Sequence, residues 1–190
     1  MKLPEVLKRD YVQTAIMIIA VIVAVLIFWY GLMFAFGTEY PILAVASGSM
    51  EPVLYKGDLI VVEGIQNVSN IYVASADSDP PGEILVYQGT TELIVHRAID
   101  KRVVDGRYVF ILHGDANWEG ANEHVKEDRI VGRYIGVKVP WLGNIALFFV
   151  DFEVKVAFIS LWIVLLILIE VAPLVRKRMK RGDNEASLYK

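Results

Sequence analysis

The chain contains no cysteine. Disulfides, thiolate nucleophiles and cysteine-ligated zinc are therefore excluded, and with them the cysteine-dependent surface enzymes. Histidine is scarce, at three residues. No HExxH or other paired-ligand spacing occurs, so no metal and no cofactor is expected. A basic excess is also missing where a nucleic-acid-binding domain would need one. The net charge is −3, and residues 37–153 hold 17 acidic against nine basic side chains. No nucleic-acid partner is expected from such a domain. That middle segment also lacks an internal repeat, a low-complexity tract and any useful 3.6-residue amphipathic period.

Apolar residues are plentiful, at 55% of the chain, and they gather near the two ends. Thr14 to Phe36 is 23 residues without a charge. As a helix it measures about 35 Å, enough to cross a hydrocarbon core of about 30 Å. Trp29 and Tyr30 lie toward its outer end, where aromatic rings favour the headgroup level. A cleaved signal peptide ending near Ala35-Phe36-Gly37 is the competing reading. It fits less well, because a signal h-region runs about 7–15 residues. Val156 to Val175 is a second apolar span, interrupted by Glu170 near one end and closed by Pro173.

Lys2, Lys8 and Arg9 precede the first span, and Arg176, Lys177, Arg178, Lys180 and Arg181 follow the second. The positive-inside rule then puts both termini in the cytoplasm and the acidic middle across the membrane. The expected organisation is a cytoplasmic tail (1–13), a transmembrane helix (14–36), an extracytoplasmic domain (37–155), a second transmembrane helix (156–175) and a basic cytoplasmic tail (176–190).

The middle reads as mainly β and antiparallel. Short runs rich in β-branched and aromatic residues occur at 59–62, 84–87, 93–95, 108–112 and 130–139. Lys56-Gly57-Asp58, Pro80-Pro81-Gly82, Asp105-Gly106 and His113-Gly114-Asp115 separate them as turns. The polar stretch from Gln66 to Pro81 is expected to be an exposed loop or a mobile hairpin tip. It contains Asn67-Val68-Ser69, a formal glycosylation sequon.

Ala46-Ser47-Gly48-Ser49-Met50-Glu51-Pro52 stands just after the first span. Gly48 opens backbone conformations closed to other residues, and Pro52 restricts both itself and Glu51. Together they can hold Ser49 on a tight turn. A serine hydroxyl becomes a nucleophile once a base takes its proton, and it needs donors for the oxyanion. Taken alone, Ser-Gly-Ser is an ordinary loop tripeptide.

Ser47-Gly48-Ser49-Met50-Glu51-Pro52, Gly57-Asp58-Leu59-Ile60-Val61, Ile94-Val95-His96-Arg97-Ala98-Ile99, Gly114-Asp115 and Val131-Gly132-Arg133 follow in that order. The series, over residues 40–140, resembles type I signal peptidase, specifically its archaeal and endoplasmic-reticulum branch of Ser/His type. The resemblance implies a β-rich catalytic domain flanked by two transmembrane helices. It implies a membrane-bound serine endopeptidase that removes signal peptides from exported preproteins, cutting after small residues by Ser/His-dependent acyl-enzyme hydrolysis.

In that family the serine before Met is the nucleophile, which maps onto Ser49. The base position maps onto His96, where an imidazole with a pKa of about 6.5 suits proton transfer near neutral pH. Lys56 and Lys101 are alternative bases, and neither falls on the family's base position. Asp115 maps onto an acidic partner that orients the imidazole or stabilises its cation. A second family aspartate is replaced by Ala121, so Glu119, Glu123 or Asp128 compensates through a shifted loop, or Asp115 acts alone. Ser47 fits an oxyanion donor beside the Ser49 N–H. The implied partners are secretory preproteins with their signal peptides, the lipid bilayer, and the export channel or other signal peptidase subunits. The implied membrane is an archaeal plasma membrane in preference to the endoplasmic reticulum. Two other readings compete. One is a non-catalytic membrane subunit of the same fold, for which Ala121 argues. The other is a LexA-like self-cleaving protease, which uses a lysine base and usually carries a DNA-binding domain absent here.

Overall fold

The computed structural model describes residues 5–150 and 153–165. The chain divides into two compact units, Met1–Asn144 and Ile145–Lys190. Helix α1 (Glu5–Phe36) opens the first unit. Its segment Val12–Phe36 has 25 residues with a mean hydropathy of 2.8, and none of it is buried. Ile16, Phe28 and Tyr30 are each more than 60% exposed. An apolar helix with no buried residue over this segment has the surface of a membrane span. Gly37, at φ +63°, ends it in the left-handed region that glycine tolerates.

Seven antiparallel strands follow: β1 (Ile42–Ala44), β2 (Leu59–Glu63), β3 (Ile84–Gln88), β4 (Leu93–Val104), β5 (Arg107–His113), β6 (Glu123–Lys126) and β7 (Ile130–Val139). They form one sheet in the order β1-β2-β7-β3-β4-β5-β6. The expected antiparallel, mainly β class is thus present. Asp105 and Gly106, both at positive φ, make the two-residue turn between β4 and β5.

The core lies on both faces of β3. Its side chains alternate, as the two-residue period of a strand requires. Ile84 and Val86 pack with Val45, Met50, Leu54, Ile60 and Val62. Leu85 and Tyr87 pack with Ile71, Ala98, Phe110, Leu112 and Val125. A continuous apolar run with no polar alternation is what a doubly covered strand looks like in sequence.

The 66–81 segment is a mostly exposed loop, as expected, tied to the sheet at a few points rather than projecting as a hairpin tip. Ile71 is buried in the second cluster. Lys101 Nζ donates to the Ser69 carbonyl at 2.6 Å and the Ile71 carbonyl at 2.8 Å. Ala74 N bonds to the Ala98 carbonyl and Glu83 N to the Tyr72 carbonyl.

Helix α1 joins the sheet through a close backbone contact. Gly64 N bonds to the Phe36 carbonyl at 2.8 Å. A Cβ at Gly64 would stand 2.0 Å from the Gly37 carbonyl oxygen, so only glycine fits. Thr38 Oγ1 donates to the Val131 carbonyl. The helix end and the sheet are therefore one piece.

In the second unit, residues 153–165 are helical. The rings of Phe149 and Phe158, and of Phe158 and Trp162, meet edge to face. Of the two expected membrane spans, the described residues show the first. Among the described residues one helix is long and apolar enough to cross a membrane. The second expected span, 156–175, lies outside the described residues from 166 onward.

Candidate active site

Ser49 sits on the turn that leaves β1, and the turn is anchored from below. Met50 and Leu54 are buried and pack with the first cluster. Leu54 N bonds to the Met50 carbonyl and Glu51 N to the Gly48 carbonyl. The Ser49 carbonyl accepts from Ala116 N at 2.9 Å. A Cβ at Gly114 would come within 2.7 Å of that same carbonyl oxygen. The Gly114-Asp115 turn is thus the wall against which the Ser49 backbone rests.

Ser49 Oγ has two hydrogen-bond partners among the described residues. Ser47 Oγ lies at 3.3 Å and His96 Nε2 at 3.3 Å. His96 comes from the buried middle of β4. Its Nδ1 faces Tyr87 Oη at 3.2 Å and Glu123 Oε1 at 3.4 Å. Tyr87 Oη in turn donates to Glu123 Oε2 at 2.6 Å. The imidazole is therefore held at both nitrogens, by Ser49 on one side and by the Tyr87–Glu123 pair on the other.

Burial lowers the His96 pKa below the ordinary imidazole value. Glu123 works against that, His113 reinforces it, and Asp115 works against it through space. The net direction keeps the ring neutral near pH 7. Burial also raises the Tyr87 phenol far above its usual value, and its bond to Glu123 adds to the rise. Tyr87 is a proton donor throughout the working range.

Asp115 stands elsewhere than the expected acid position. Both of its oxygens are taken by Arg97, from Nε at 2.8 Å and Nη2 at 2.5 Å. Arg97 Nη1 donates to the Gly82 carbonyl. Asp115 makes no hydrogen bond to His96; the carboxylate at His96 Nδ1 is Glu123. Asp128 is exposed on the short helix Glu127–Arg129 and contributes no contact to this site. His113 hydrogen-bonds Asn122 through Nδ1. His124 lies on β6, opposite Ile111. Asp58 is structural: burial pushes its pKa up, but the Tyr55 N–H and the Lys138 ammonium outweigh this and hold it low.

Tyr87 is the site residue that sequence reasoning missed. In the β3–β4 register, Leu85 pairs with His96 and Tyr87 with Ile94. Tyr87 is thus the diagonal neighbour of His96 on one face, within reach of a long aromatic side chain. The sequence signal was a polar tip at the end of an otherwise aliphatic buried run.

Beside Ser49 is a cavity of about 70 Å³, lined by Ala44, Ser47, Met50, Leu93 and Val95 among others. It opens between β1 and the start of β4. The volume suits a small side chain.

No protein-family model matches the chain. Among curated proteins it is similar to the signal peptidase complex catalytic subunit SEC11C of Homo sapiens, with 31% identity over 156 residues, 76% of this chain and 76% of that protein. The SEC11 subunit of Yarrowia lipolytica is 27% identical over 129 residues, 63% of this chain and 69% of its own. The sec11 subunit of Dictyostelium discoideum is 28% identical over 155 residues, 76% of this chain and 80% of its own.

These relatives correct two expectations drawn from the sequence. The label of an archaeal and endoplasmic-reticulum branch of Ser/His type gives way to a SEC11-type catalytic subunit. That likeness carries signal-peptidase activity without the expected Ser/His-dependent acyl-enzyme route, which is withdrawn; a Ser/Lys dyad takes its place as the mechanism to weigh. The two lysines named from the sequence stand as follows. Lys56 is exposed in the turn before Gly57. Lys101 Nζ is bonded to the Ser69 and Ile71 carbonyls. The non-catalytic alternative is set aside by the same relatives, which are catalytic subunits.

Proposed function

The chain belongs to the family of signal peptidase complex catalytic subunits that includes SEC11C, and from that premise we propose which residues carry its chemistry and how it sits in the membrane. It is a signal-peptidase-type serine endopeptidase acting on secretory preproteins at a membrane. In our reading Ser49 is the nucleophile. Ser47 Oγ and the Ser49 N–H receive the oxyanion, on the strength of the 3.3 Å approach of the two hydroxyls. His96 belongs to the catalytic group because its Nε2 meets Ser49 Oγ. Asp115 supports the site from behind, by holding Arg97 and by its charge. The observation that carries the reading is the convergence of Ser47, Ser49 and His96 beside a small cavity at the mouth of β1.

The cavity supports cleavage after small residues, because a larger group would clash with Ala44, Leu93 or Val95. The test is a cleavage assay with the purified chain in detergent micelles. A preprotein with alanine before the cut is expected to be processed, and the same preprotein with phenylalanine there is expected to be processed at least about tenfold more slowly. Equal rates for the two would refute the cavity as the specificity pocket. Cleavage by the purified chain alone also bears on partners. The relatives' names place them in a signal peptidase complex, and further subunits or the export channel remain proposed partners here.

For topology, we read α1 as the anchor and both termini as cytoplasmic, supported by the basic residues outside each apolar stretch. The absence of native cysteine makes this testable by substitution. Thr90→Cys is expected to react with a membrane-impermeant maleimide on intact cells. Lys2→Cys and Lys190→Cys are expected to react only after permeabilisation. Labelling of either tail from outside contradicts the two-crossing reading.

A further inference from the structure

We propose that Asn67 is an N-glycosylation site, taking an oligosaccharide from a polyprenyl-linked phosphate or pyrophosphate donor. The proposal rests on the reading that puts residues 37–155 across the membrane from both termini, and it is independent of how Ser49 is activated.

Asn67-Val68-Ser69 is the acceptor pattern, with a hydroxyl two residues on and no proline between. The chain has six asparagines, and Asn67 alone has a serine or threonine at that spacing. A sequon by itself does not make a site, because the acceptor nitrogen must also be reachable and must stay in solvent once the chain has folded.

The fold meets both conditions. Ile65, Val68 and Ile71 pack with the second core cluster and hold the segment on the sheet. Gln66, Asn67 and Asn70, interleaved with them, are exposed. Asn67 caps the short helix Val68–Asn70 in an extended conformation, at φ −138° and ψ 104°. Its Oδ1 accepts both bonds from Ser69, the N–H at 3.0 Å and the hydroxyl at 2.6 Å. Nδ2, the atom that takes the sugar, makes no hydrogen bond among the described residues. Beside it is a cavity of about 350 Å³, lined by Glu63, Gln66, Asn67, Asn70 and Arg133 among others. Its walls offer carboxylate, amide and guanidinium groups, which are partners for sugar hydroxyls. The first sugar therefore meets room and polar surface, and no core residue has to move.

The sequence position suits transfer before folding. Asn67 is 31 residues beyond Phe36, the end of α1. An extended chain of that length reaches about 100 Å, so the unfolded segment can be presented to a membrane-bound transferase. The step is a substitution. Asn67 Nδ2 forms a bond to C1 of the first sugar, the C1–O bond to phosphate breaks, and the polyprenyl phosphate or pyrophosphate leaves. One amide proton passes to a base of the transferase, and nothing is oxidised or reduced.

The experiment is mass spectrometry of the full chain produced in a cell that N-glycosylates its secretory proteins. The peptide containing Asn67 is expected to carry a glycan, which is lost in Asn67→Gln and in Ser69→Ala and kept in Ser69→Thr. A control acceptor is built at the exposed β4–β5 turn by Asp105→Asn with Arg107→Thr, which gives the Asn-Gly-Thr pattern around Gly106. Position 105 has φ +52°, which asparagine tolerates. A glycan at the turn with Asn67 bare overturns the proposal and leaves the topology standing. Both acceptors bare in the same chain overturns it through its premise, since the middle segment would then not have crossed. Modification of Asn67 that persists in Ser69→Ala also overturns it, because the hydroxyl would then play no part.

Discussion

Asp115→Ala is expected to destabilise the protein by about 3–5 kcal/mol, the typical cost of stranding one member of a buried ion pair. Arg97 lies 4% exposed in the middle of β4. Each guanidinium nitrogen has a partner, with two bonds to Asp115 and one to the Gly82 carbonyl. Without Asp115 a permanent cation is left in the sheet, because arginine does not discharge itself by losing a proton. Cleavage is expected to fail in this variant by loss of structure. Denaturant unfolding of the full chain in micelles measures the difference. The double variant Arg97→Met with Asp115→Ala is expected to recover most of the lost stability, since it removes the orphaned charge. A single-variant cost under about 1 kcal/mol would contradict a structural role for the pair.

This prediction separates two roles that the sequence pattern runs together. A Gly-Asp dipeptide after a strand, read through a family resemblance, suggests an acid beside the catalytic imidazole. The structure uses the same two residues as a brace. Gly114 lets the turn approach the Ser49 carbonyl, Ala116 N bonds that carbonyl, and Asp115 ties the turn to β4. The acid at the imidazole comes from β6, which carries Glu123, His124, Val125 and Lys126. One buried valine among polar residues gives no strand period, so β6 was not legible in the sequence. β1, at three residues, was too short to register. β2, β3, β5 and β7 were legible, because their β-branched and aromatic runs are bounded by glycine, proline and aspartate turns. β4 runs past its apolar start to Val104, and its outer end carries Asp100, Lys101 and Arg102, which hide the strand from a hydrophobicity pattern.

Ser49 and His96 were legible for a different reason. Each sits in a short motif whose residues have local jobs: Met50 anchors the turn, and Arg97 clamps the Gly114-Asp115 brace. Tyr87 was not, since a tyrosine ending a buried aliphatic strand reads as core. Its place beside His96 depends on the register between two strands, which is a tertiary fact. The same holds for the join between α1 and the sheet, where the Gly64 N–H meets the Phe36 carbonyl. That contact fixes the sheet domain to the end of α1.

The central claim is that Ser49 Oγ is the group that attacks the preprotein. Removing the hydroxyl removes the attacking atom itself, whatever group takes its proton. Ser49→Ala is expected to lower the cleavage rate by about four orders of magnitude or more. Stability is expected to change by less than about 1 kcal/mol, because the Ser49 hydroxyl is partly exposed and bonds only Ser47 and His96. The turn keeps its anchors in Met50 and Leu54. The measurement is preprotein cleavage by the purified Ser49→Ala chain in micelles, with its unfolding transition recorded beside that of the unsubstituted protein. Loss of cleavage in a chain that unfolds at the same denaturant concentration is the predicted result. Cleavage within tenfold of the unsubstituted rate would contradict the account.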